Sequence, residues 1–135
     1  MQNLVWHDSY SIGNEQIDKH HRLLFGLYNI LCNNVAQGGD CKITKYIINA
    51  LVKYLNQHCE VEEKYMRDIG YNGIHGHIAE HQIFKQKVME LQCRFIDNDV
   101  KQYQELVDLL VYWLTNHVIL EDKNIIADNN TEVTG

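Results

Sequence analysis

Apolar residues recur along this chain in alternating steps of three and four, and they do so in four separate segments. This period is typical of α-helices with one buried face, whereas a half-buried strand would alternate at every second residue. No segment shows the strand pattern. The third segment illustrates the helical pattern, with apolar residues at Ile74, Phe84, Val88, Leu91 and Phe95. The pattern predicts four amphipathic helices, at about residues 15–37, 41–69, 73–96 and 100–126.

The breaks between these helices fall at Gly, Asn and Asp residues, because the sequence contains no proline. Glycine commonly ends a helix, and Asp or Asn commonly caps the start of the next one. The three breaks lie at residues 38–40, 70–73 and 97–99. Turns this short join neighbouring helices in antiparallel order. We therefore predict a single all-α domain over residues 1–135, an up-down-up-down four-helix bundle with an N-terminal arm at 1–14 and a polar tail at 128–135.

Each helix has an apolar stripe, the line of apolar residues along its core-facing side. In every helix, ionisable residues occupy part of this stripe. In the third helix, His77 and His81 occupy the stripe between Ile74 and Phe84. Burying ionisable groups without partners would cost several kcal/mol each. A lone buried histidine is usually a hydrogen-bonded core residue, but a set of seven predicts metal ligands and is large enough for two ions. The set comprises five imidazoles and two carboxylates: His21, His58, Glu62, His77, His81, His117 and Asp122.

The spacing of these residues indicates where they meet. Positions early in the first and third helices and late in the second and fourth converge at one end of an alternating bundle. Residues four apart, such as His58 and Glu62, lie about 40° apart around a helix and can reach the same volume. His117 and Asp122 are five apart, about 140° on an ideal helix, so we predict irregular, π-type backbone between them. The other histidines are predicted to face solvent or to contact the ligands from outside: His7, His20 and His75.

Charge and composition exclude several classes of partner. The chain has 135 residues and a formal net charge of -6, without a run of Lys or Arg, so we expect no nucleic-acid or anionic-membrane partner. Its apolar stretches are too short to span a membrane, and its first residues lack a secretory signal, which predicts a cytoplasmic protein. The cysteines form no C-x-x-C pair and are expected to be reduced thiols. They are Cys32, Cys41, Cys59 and Cys93.

The polar residues belong to motifs that resemble those of the hemerythrin family, in its bacterial branch. Ile17–His21 resembles the family motif I-D-x-Q-H, and His58–Met66 resembles H-F-x-x-E-E-x-x-M. His77–Phe84 resembles H-x-x-x-H-x-x-F, and Trp113–Lys123 resembles W-L-x-x-H-x-x-x-x-D-K. The arm segment Trp6–Gly13 resembles the aromatic lead-in of the family. The resemblance covers about residues 6–126, and all seven ligand positions are filled.

This resemblance implies a non-haem centre of two iron ions per chain, bridged by an oxide or hydroxide and by both carboxylates, Glu62 and Asp122. It assigns three histidines to one iron, which thereby has six ligands: His77, His81 and His117. It leaves the second iron with only His21 and His58, and therefore with an open position for dioxygen. Mixed nitrogen and oxygen ligation also suits non-haem iron better than structural zinc, which prefers four ligands.

Reversible dioxygen binding needs a dry pocket, and we expect its walls to include Phe84, Trp113 and Leu114. Cys59 also belongs to this pocket, because it stands beside a ligand where the family usually has Phe. The smaller thiol either enlarges the pocket and speeds autoxidation, or neighbouring side chains fill the space. Two further departures from the family pattern are His20, which replaces a common Gln, and Asn72, which stands where a Pro often begins the third helix.

Three functions are compatible with such a centre. The first is reversible dioxygen binding for carriage, storage or delivery, without enzymatic turnover. The second is an oxygen or redox sensor, but the eight residues of the tail at 128–135 hold no output domain, which favours the carrier. The third is a di-iron enzyme acting on peroxide or nitric oxide; a ferritin-like oxidase is disfavoured, because its E-x-x-H repeats are missing from the ligand set. We expect the first function, with any redox or oxygen-consuming protein partner left unspecified.

Overall fold

Helices make up the fold of the computed structural model, which describes residues 4–95 and 100–125. No strand occurs in these two ranges. α1 and α3 each pack against both α2 and α4, so the helices form a four-helix bundle, and the prediction of an all-α bundle is confirmed. The elements are a 3-10 turn (Asp8–Tyr10), α1 (Glu15–Ala36), α2 (Cys41–Ile69), α3 (Ile74–Arg94), α4 (Val100–Tyr112) and a π-helical segment (Trp113–Glu121) that continues α4.

Some predictions concern parts of the chain that lie outside the described residues. They are the first three residues of the arm, the break at residues 97–99, the end of the fourth helix at residue 126 and the polar tail at 128–135. Within the described ranges, no helix combines the length and the apolar character that a membrane span needs.

Capping groups at the predicted breaks fix where the helices begin and end. The Asn14 side chain accepts a hydrogen bond from the backbone N–H of Ile17 (3.1 Å) at the start of α1. Asp40 does the same at the start of α2, for the N–H two residues further on (2.8 Å). Gly70 ends α2 in the left-handed conformation (φ 68°), and the following N–H then lies 2.9 Å from the carbonyl of Met66. These contacts satisfy backbone groups that helix ends leave unpaired.

The apolar stripes of the four helices form one continuous core. Its members are almost fully buried; most are leucine, isoleucine, valine and aromatic residues, and two are Cys32 and Cys59. Burial of such side chains stabilises the bundle by roughly 1.5–3 kcal/mol each. The members with no exposed surface include Leu24, Leu31, Ile47, Leu51, Val88, Leu91, Leu106, Leu110 and Leu114.

The arm before α1 lies along that helix and is tied to it at two points. The backbone of Leu4 forms two hydrogen bonds with the Asn29 side chain, at 2.9 and 2.8 Å. The Asp18 carboxylate accepts hydrogen bonds from the hydroxyl of Ser11 (2.5 Å) and from the next backbone N–H (3.0 Å). Between these ties, the ring of Trp6 packs edge-on against an aromatic ring of α1. The arm therefore covers the part of α1 that carries the first polar residue of the stripe.

Candidate metal centre

The seven side chains predicted as ligands meet at one end of the bundle. α1 supplies one imidazole, α2 an imidazole and a carboxylate, and α3 two imidazoles. The π-helical segment supplies an imidazole, and the residue directly after it supplies a carboxylate. Each of the seven residues is at most 4% exposed, and together they form two overlapping groups of potential ligand atoms. The structure thus brings together His21, His58, Glu62, His77, His81, His117 and Asp122.

One group contains three histidines around a single carboxylate oxygen. Oε1 of Glu62 lies 2.5 Å from Nε2 of His77, 3.0 Å from Nε2 of His81 and 3.4 Å from Nε2 of His117. The Nε2 atoms of His81 and His117 are themselves 3.1 Å apart. Three imidazole nitrogens therefore point at the same small volume.

The other group contains two histidines and both carboxylates. Oε2 of Glu62 lies 3.1 Å from Nε2 of His58 and 3.5 Å from Nε2 of His21. Oδ2 of Asp122 lies 2.9 Å from the same His21 nitrogen. The ligand atoms of this group lie within 4.8 Å of one another, which is close enough for a shared ion.

Both carboxylates span the two groups. Glu62 presents Oε1 to the three histidines and Oε2 to the pair. Asp122 presents Oδ1 to His77 (2.9 Å) and His117 (3.3 Å), and Oδ2 to His21 (2.9 Å). A carboxylate with one oxygen on each side is the arrangement that bridges two metal ions. The geometry therefore fits two neighbouring ions with unequal numbers of histidines.

The backbone that places the last two side chains is π-helical. The segment Trp113–Glu121 has nine residues, and the N–H of Asp122 donates to the carbonyl of His117, five residues earlier. The longer turn brings residues five apart onto the same face. The predicted irregular backbone between His117 and Asp122 is confirmed, and it explains how both side chains reach the centre.

Several buried polar atoms of the cluster lie close to one another without forming hydrogen bonds. They include both ring nitrogens of His21, Nε2 of His58, Oε2 of Glu62 and both carboxylate oxygens of Asp122. Short distances without hydrogen-bond alignment are costly for buried polar groups. A cation among these atoms would remove that cost, because metal ions accept neutral imidazoles and ionised carboxylates as ligands. The donor set therefore fits a metal centre.

Burial and mutual contact shift the protonation equilibria of the cluster. Burial alone would raise the pKa of Glu62, but the surrounding imidazoles outweigh it and hold that pKa well below its usual range. Burial lowers the pKa of His58. Burial acts in the same direction on His21 and His77, but the carboxylates of Asp122 and Glu62 outweigh it and raise both pKa values to about 9.

We expect metal uptake to be strongly pH-dependent. Because the pKa values of His21 and His77 are about 9 in the metal-free protein, both imidazoles carry protons at pH 7, which a metal ion must displace. Each displaced proton makes the apparent affinity rise about tenfold per pH unit. Titration with Co(II) between pH 7 and pH 8.5 should show this rise, with proton release in weakly buffered solution. An affinity that is independent of pH would contradict the protonation assigned to these histidines.

Two of the candidate ligand histidines also contact glutamates that the sequence pattern did not single out. Nδ1 of His81 lies 2.8 Å from Oε2 of Glu63, and Nδ1 of His117 lies 3.0 Å from Oε2 of Glu80. Such contacts orient the rings that hold a metal ion. The only sequence signal for the two glutamates is their position directly after or before a predicted ligand.

The remaining histidines lie where the sequence predicts. His7 and His75 are exposed. His20 is half-buried, and its Nδ1 lies 3.2 Å from Nδ1 of His58. Tyr54 is not among the predicted site residues, but it stacks on His58 with 5.0 Å between ring centroids and 10° between planes. Its position four residues before His58 was the available signal.

The residues expected to line the pocket are all buried, and three of them lie beside the three-histidine group. Trp113 stacks on His117 (3.7 Å between centroids) and on Phe84 (4.2 Å), so this aromatic pair lies beside the three-histidine group. Cys59 lies close to His81, and the potential ligand atoms of both residues and of Glu63 fall within 4.8 Å of one another. The fourth residue, Leu114, belongs to the apolar core.

Comparison with known protein families gives this arrangement a context. The sequence matches the family model described as Hemerythrin HHE cation binding domain over residues 12–127, which includes all seven residues of the cluster. This chain belongs to the hemerythrin family. The resemblance found in the sequence motifs is therefore confirmed.

Relatives within the hemerythrin family match most of the chain. A bacteriohemerythrin from Clostridium acetobutylicum is 34% identical over 127 residues, which cover 90% of this chain and 98% of that protein. A bacteriohemerythrin from Pseudomonas paraeruginosa is 33% identical over 127 residues, covering 93% of this chain and 81% of that protein. A hemerythrin-like protein from Naegleria gruberi is 23% identical over 113 residues, covering 84% and 82%. Membership of this family and the buried cluster together indicate an iron-binding site, and the cluster fits a di-iron centre.

Proposed function

We propose that this hemerythrin-family protein binds dioxygen reversibly at a di-iron centre and serves in oxygen carriage, storage or delivery. The observation that carries the proposal is the placement of Glu62 and Asp122, each with one oxygen toward the three-histidine group and the other toward the two-histidine group. This asymmetry supports one iron with a complete ligand set and one with an open position. The usual role of the family, dioxygen binding without turnover, supports the same conclusion.

The contacts support the proposed ligand count. Glu62, Asp122 and an oxide or hydroxide bridge would give each iron three ligands. His77, His81 and His117 would bring one iron to six, whereas His21 and His58 would bring the other to five. When bound, two ferrous ions supply the two electrons that dioxygen accepts on binding and returns on release.

The surroundings of the cluster favour reversible binding because they keep water away. All seven ligand side chains are buried, and Trp113 covers His117 on the three-histidine side. On the two-histidine side, the ring of Trp6 lies 6.4 Å from that of His21, and Tyr54 covers one face of His58. A dry site slows the loss of the bound ligand by proton-assisted oxidation.

We infer a non-enzymatic role from the same donor set. Ferritin-like di-iron oxidases rely on glutamate-rich sites, whereas five of the seven side chains here are imidazoles. An imidazole-rich, buried centre with one open position suits ligand binding rather than substrate oxidation.

A reversibility experiment tests the proposed function. The iron-loaded protein is reduced without air, exposed to dioxygen and then depleted of dioxygen, while its visible spectrum is recorded. We expect a ligand-to-iron charge-transfer band that appears with the gas and disappears on its removal over repeated cycles. Immediate irreversible oxidation would contradict a carrier. So would turnover of peroxide or nitric oxide that is faster than the binding and release of dioxygen.

The open-site iron should depend on His58. We expect His58→Ala to lower the iron content of the reconstituted protein from about two ions per chain to about one, because the pair then retains a single imidazole. His7→Ala is the matched control, since His7 is exposed and should leave the iron content unchanged. Elemental analysis against protein concentration measures both. Equal loss of iron in the two variants would defeat the ligand assignment.

A further inference from the structure

The Nδ1 atoms of the ligand histidines face away from the centre, and their partners differ between the two groups. In the three-histidine group, the partners of His81 and His117 are the carboxylates of Glu63 and Glu80. In the two-histidine group, the partner of His58 is the imidazole of another histidine. Nδ1 of His21 makes no hydrogen bond to the part of the chain that the structure describes. Carboxylates therefore contact two of the three imidazoles on one side of the centre, and the described residues place none against Nδ1 of His58 or His21.

A metal ion bound to His58 would determine which histidine donates the hydrogen bond between His20 and His58. Nε2 of His58 faces Glu62 at 3.1 Å and is the nitrogen placed to hold the ion. A neutral imidazole that uses Nε2 as ligand carries its proton on Nδ1. His58 therefore donates this hydrogen to Nδ1 of His20, 3.2 Å away, and His20 accepts it as a neutral group.

Packing holds His20 in the place where it can accept this bond. Its ring meets Tyr54 edge-on, with 6.1 Å between centroids and 79° between planes. Tyr54 in turn stacks on His58, so the three rings support one another. His20 directly precedes the ligand His21 on α1, and a step of about 100° around the helix turns it from the centre toward α2.

We propose that His20 is a positioning residue for the iron with the open position, a role that rests on the proposed function. It fixes the ring of His58 so that Nε2 points at the ion. As a neutral acceptor it also draws less electron density onto His58 than a carboxylate would, since anionic acceptors raise the basicity of a ligand imidazole. His58 is therefore a less basic ligand, which favours the ferrous over the ferric ion on the side where dioxygen binds. This difference supports release of the gas.

Metal titration separates the role of His20 from that of its neighbours. Co(II) is added to metal-free wild type, His20→Ala, His20→Gln and the exposed-site control His7→Ala, with absorption of the bound ion as readout. We expect His20→Ala to weaken one of two binding steps by about 10- to 100-fold and to leave the other unchanged. His20→Gln should restore affinity to within about threefold, because its amide oxygen accepts the same hydrogen bond. His7→Ala should match wild type.

Two results of the titration would overturn the proposal. One is an unchanged pair of binding steps in His20→Ala. The other is a His20→Gln variant as weak as His20→Ala, which would show that the ring contact with Tyr54 matters and the acceptor does not. Helical circular dichroism of each metal-free variant shows whether the bundle is folded, and His20→Gln keeps the test decisive if His20→Ala is not.

Reduction potentials test the proposed effect of His20 on the basicity of His58. His20→Glu places a carboxylate behind His58, as Glu80 lies behind His117, and should shift the potential of one iron downward. Glu80→Gln should shift the potential of the other iron upward, and His20→Gln should change neither. An unchanged or raised potential in His20→Glu would contradict the proposal.

The outcomes also distinguish this inference from the proposed function. If wild type binds two metal ions and His20→Ala behaves like wild type, the role of His20 is wrong and dioxygen binding stands. If the His20 variants behave as expected but the iron-loaded protein fails the reversibility experiment, the role of His20 stands and the carrier function is wrong.

Discussion

Glu62→Gln should remove both metal ions from the protein, whereas Glu60→Gln should leave the metal content unchanged. The Glu62 carboxylate lies within 3.5 Å of Nε2 atoms from both histidine groups, so a single substitution weakens both proposed iron sites. The amide is neutral and has an N–H₂ group in place of one oxygen, so it cannot bridge two cations. Elemental analysis after reconstitution should find about two irons per chain in wild type and less than about half an ion in Glu62→Gln.

Glu60 provides a matched control because it is the same residue type on the same helix, two positions away and exposed. Circular dichroism of the metal-free forms should show equal helix content in the two variants. If folded Glu62→Gln retains two irons, the bridging role of this carboxylate is wrong. Retention of one iron would mean that Glu62 serves only one of the two ions.

Removal of metal should lower the melting temperature of the protein by about 10 °C or more. The cluster contains buried nitrogen and oxygen atoms that have no hydrogen-bond partner among the described residues, and an ion present at about 1,000 times its dissociation constant stabilises the folded state by about 4 kcal/mol. For a domain of this size, each kcal/mol corresponds to a shift of roughly 3–4 °C. Thermal melts of iron-loaded and metal-free protein, followed by circular dichroism at 222 nm, measure the difference.

The control for this prediction is Glu62→Gln, which should show no increase in melting temperature when iron is supplied. A gain in Glu62→Gln as large as that of wild type would place the stabilising ion elsewhere. A wild-type difference below about 3 °C would mean that the folded protein gains little from filling this centre.

The sequence predicted the bundle and the end of it at which the candidate ligands meet, because both depend on short-range periodicity. The pattern placed the start of α1 at residue 15 and the end of α2 at residue 69, where the structure has them. Helix ends of this kind depend on the residue type at the cap, as at Asn14 and Gly70, and this is visible in the sequence itself. The five-residue spacing of His117 and Asp122 also predicted π-type backbone. Its extent over nine residues did not follow from that spacing, because helical hydrogen bonding is cooperative along the segment.

Contacts between helices were the part that the sequence did not predict. Glu80 and His117 are 37 residues apart in the chain, and their hydrogen bond depends on the rotation of α3 relative to the helix that carries His117. The stacking of Trp113 between Phe84 and His117 depends on the same rotation. Periodicity predicts the buried face of each helix but not which side chains of the next helix that face contacts. The sequence therefore predicted that residues such as Phe84 and Trp113 line the site, but not which histidine each one contacts.

The π-helical segment has a consequence for the kinetics of iron exchange. It holds His117, and the residue directly after it is Asp122, so local fraying of this one stretch would release a histidine and a bridging carboxylate together while the other five ligands stay in the bundle. Local opening of this kind needs less free energy than global unfolding. We therefore expect iron to leave when this π-helical segment opens. Its rate of release should follow amide hydrogen exchange over Trp113–Glu121 and not the unfolding rate of the whole domain.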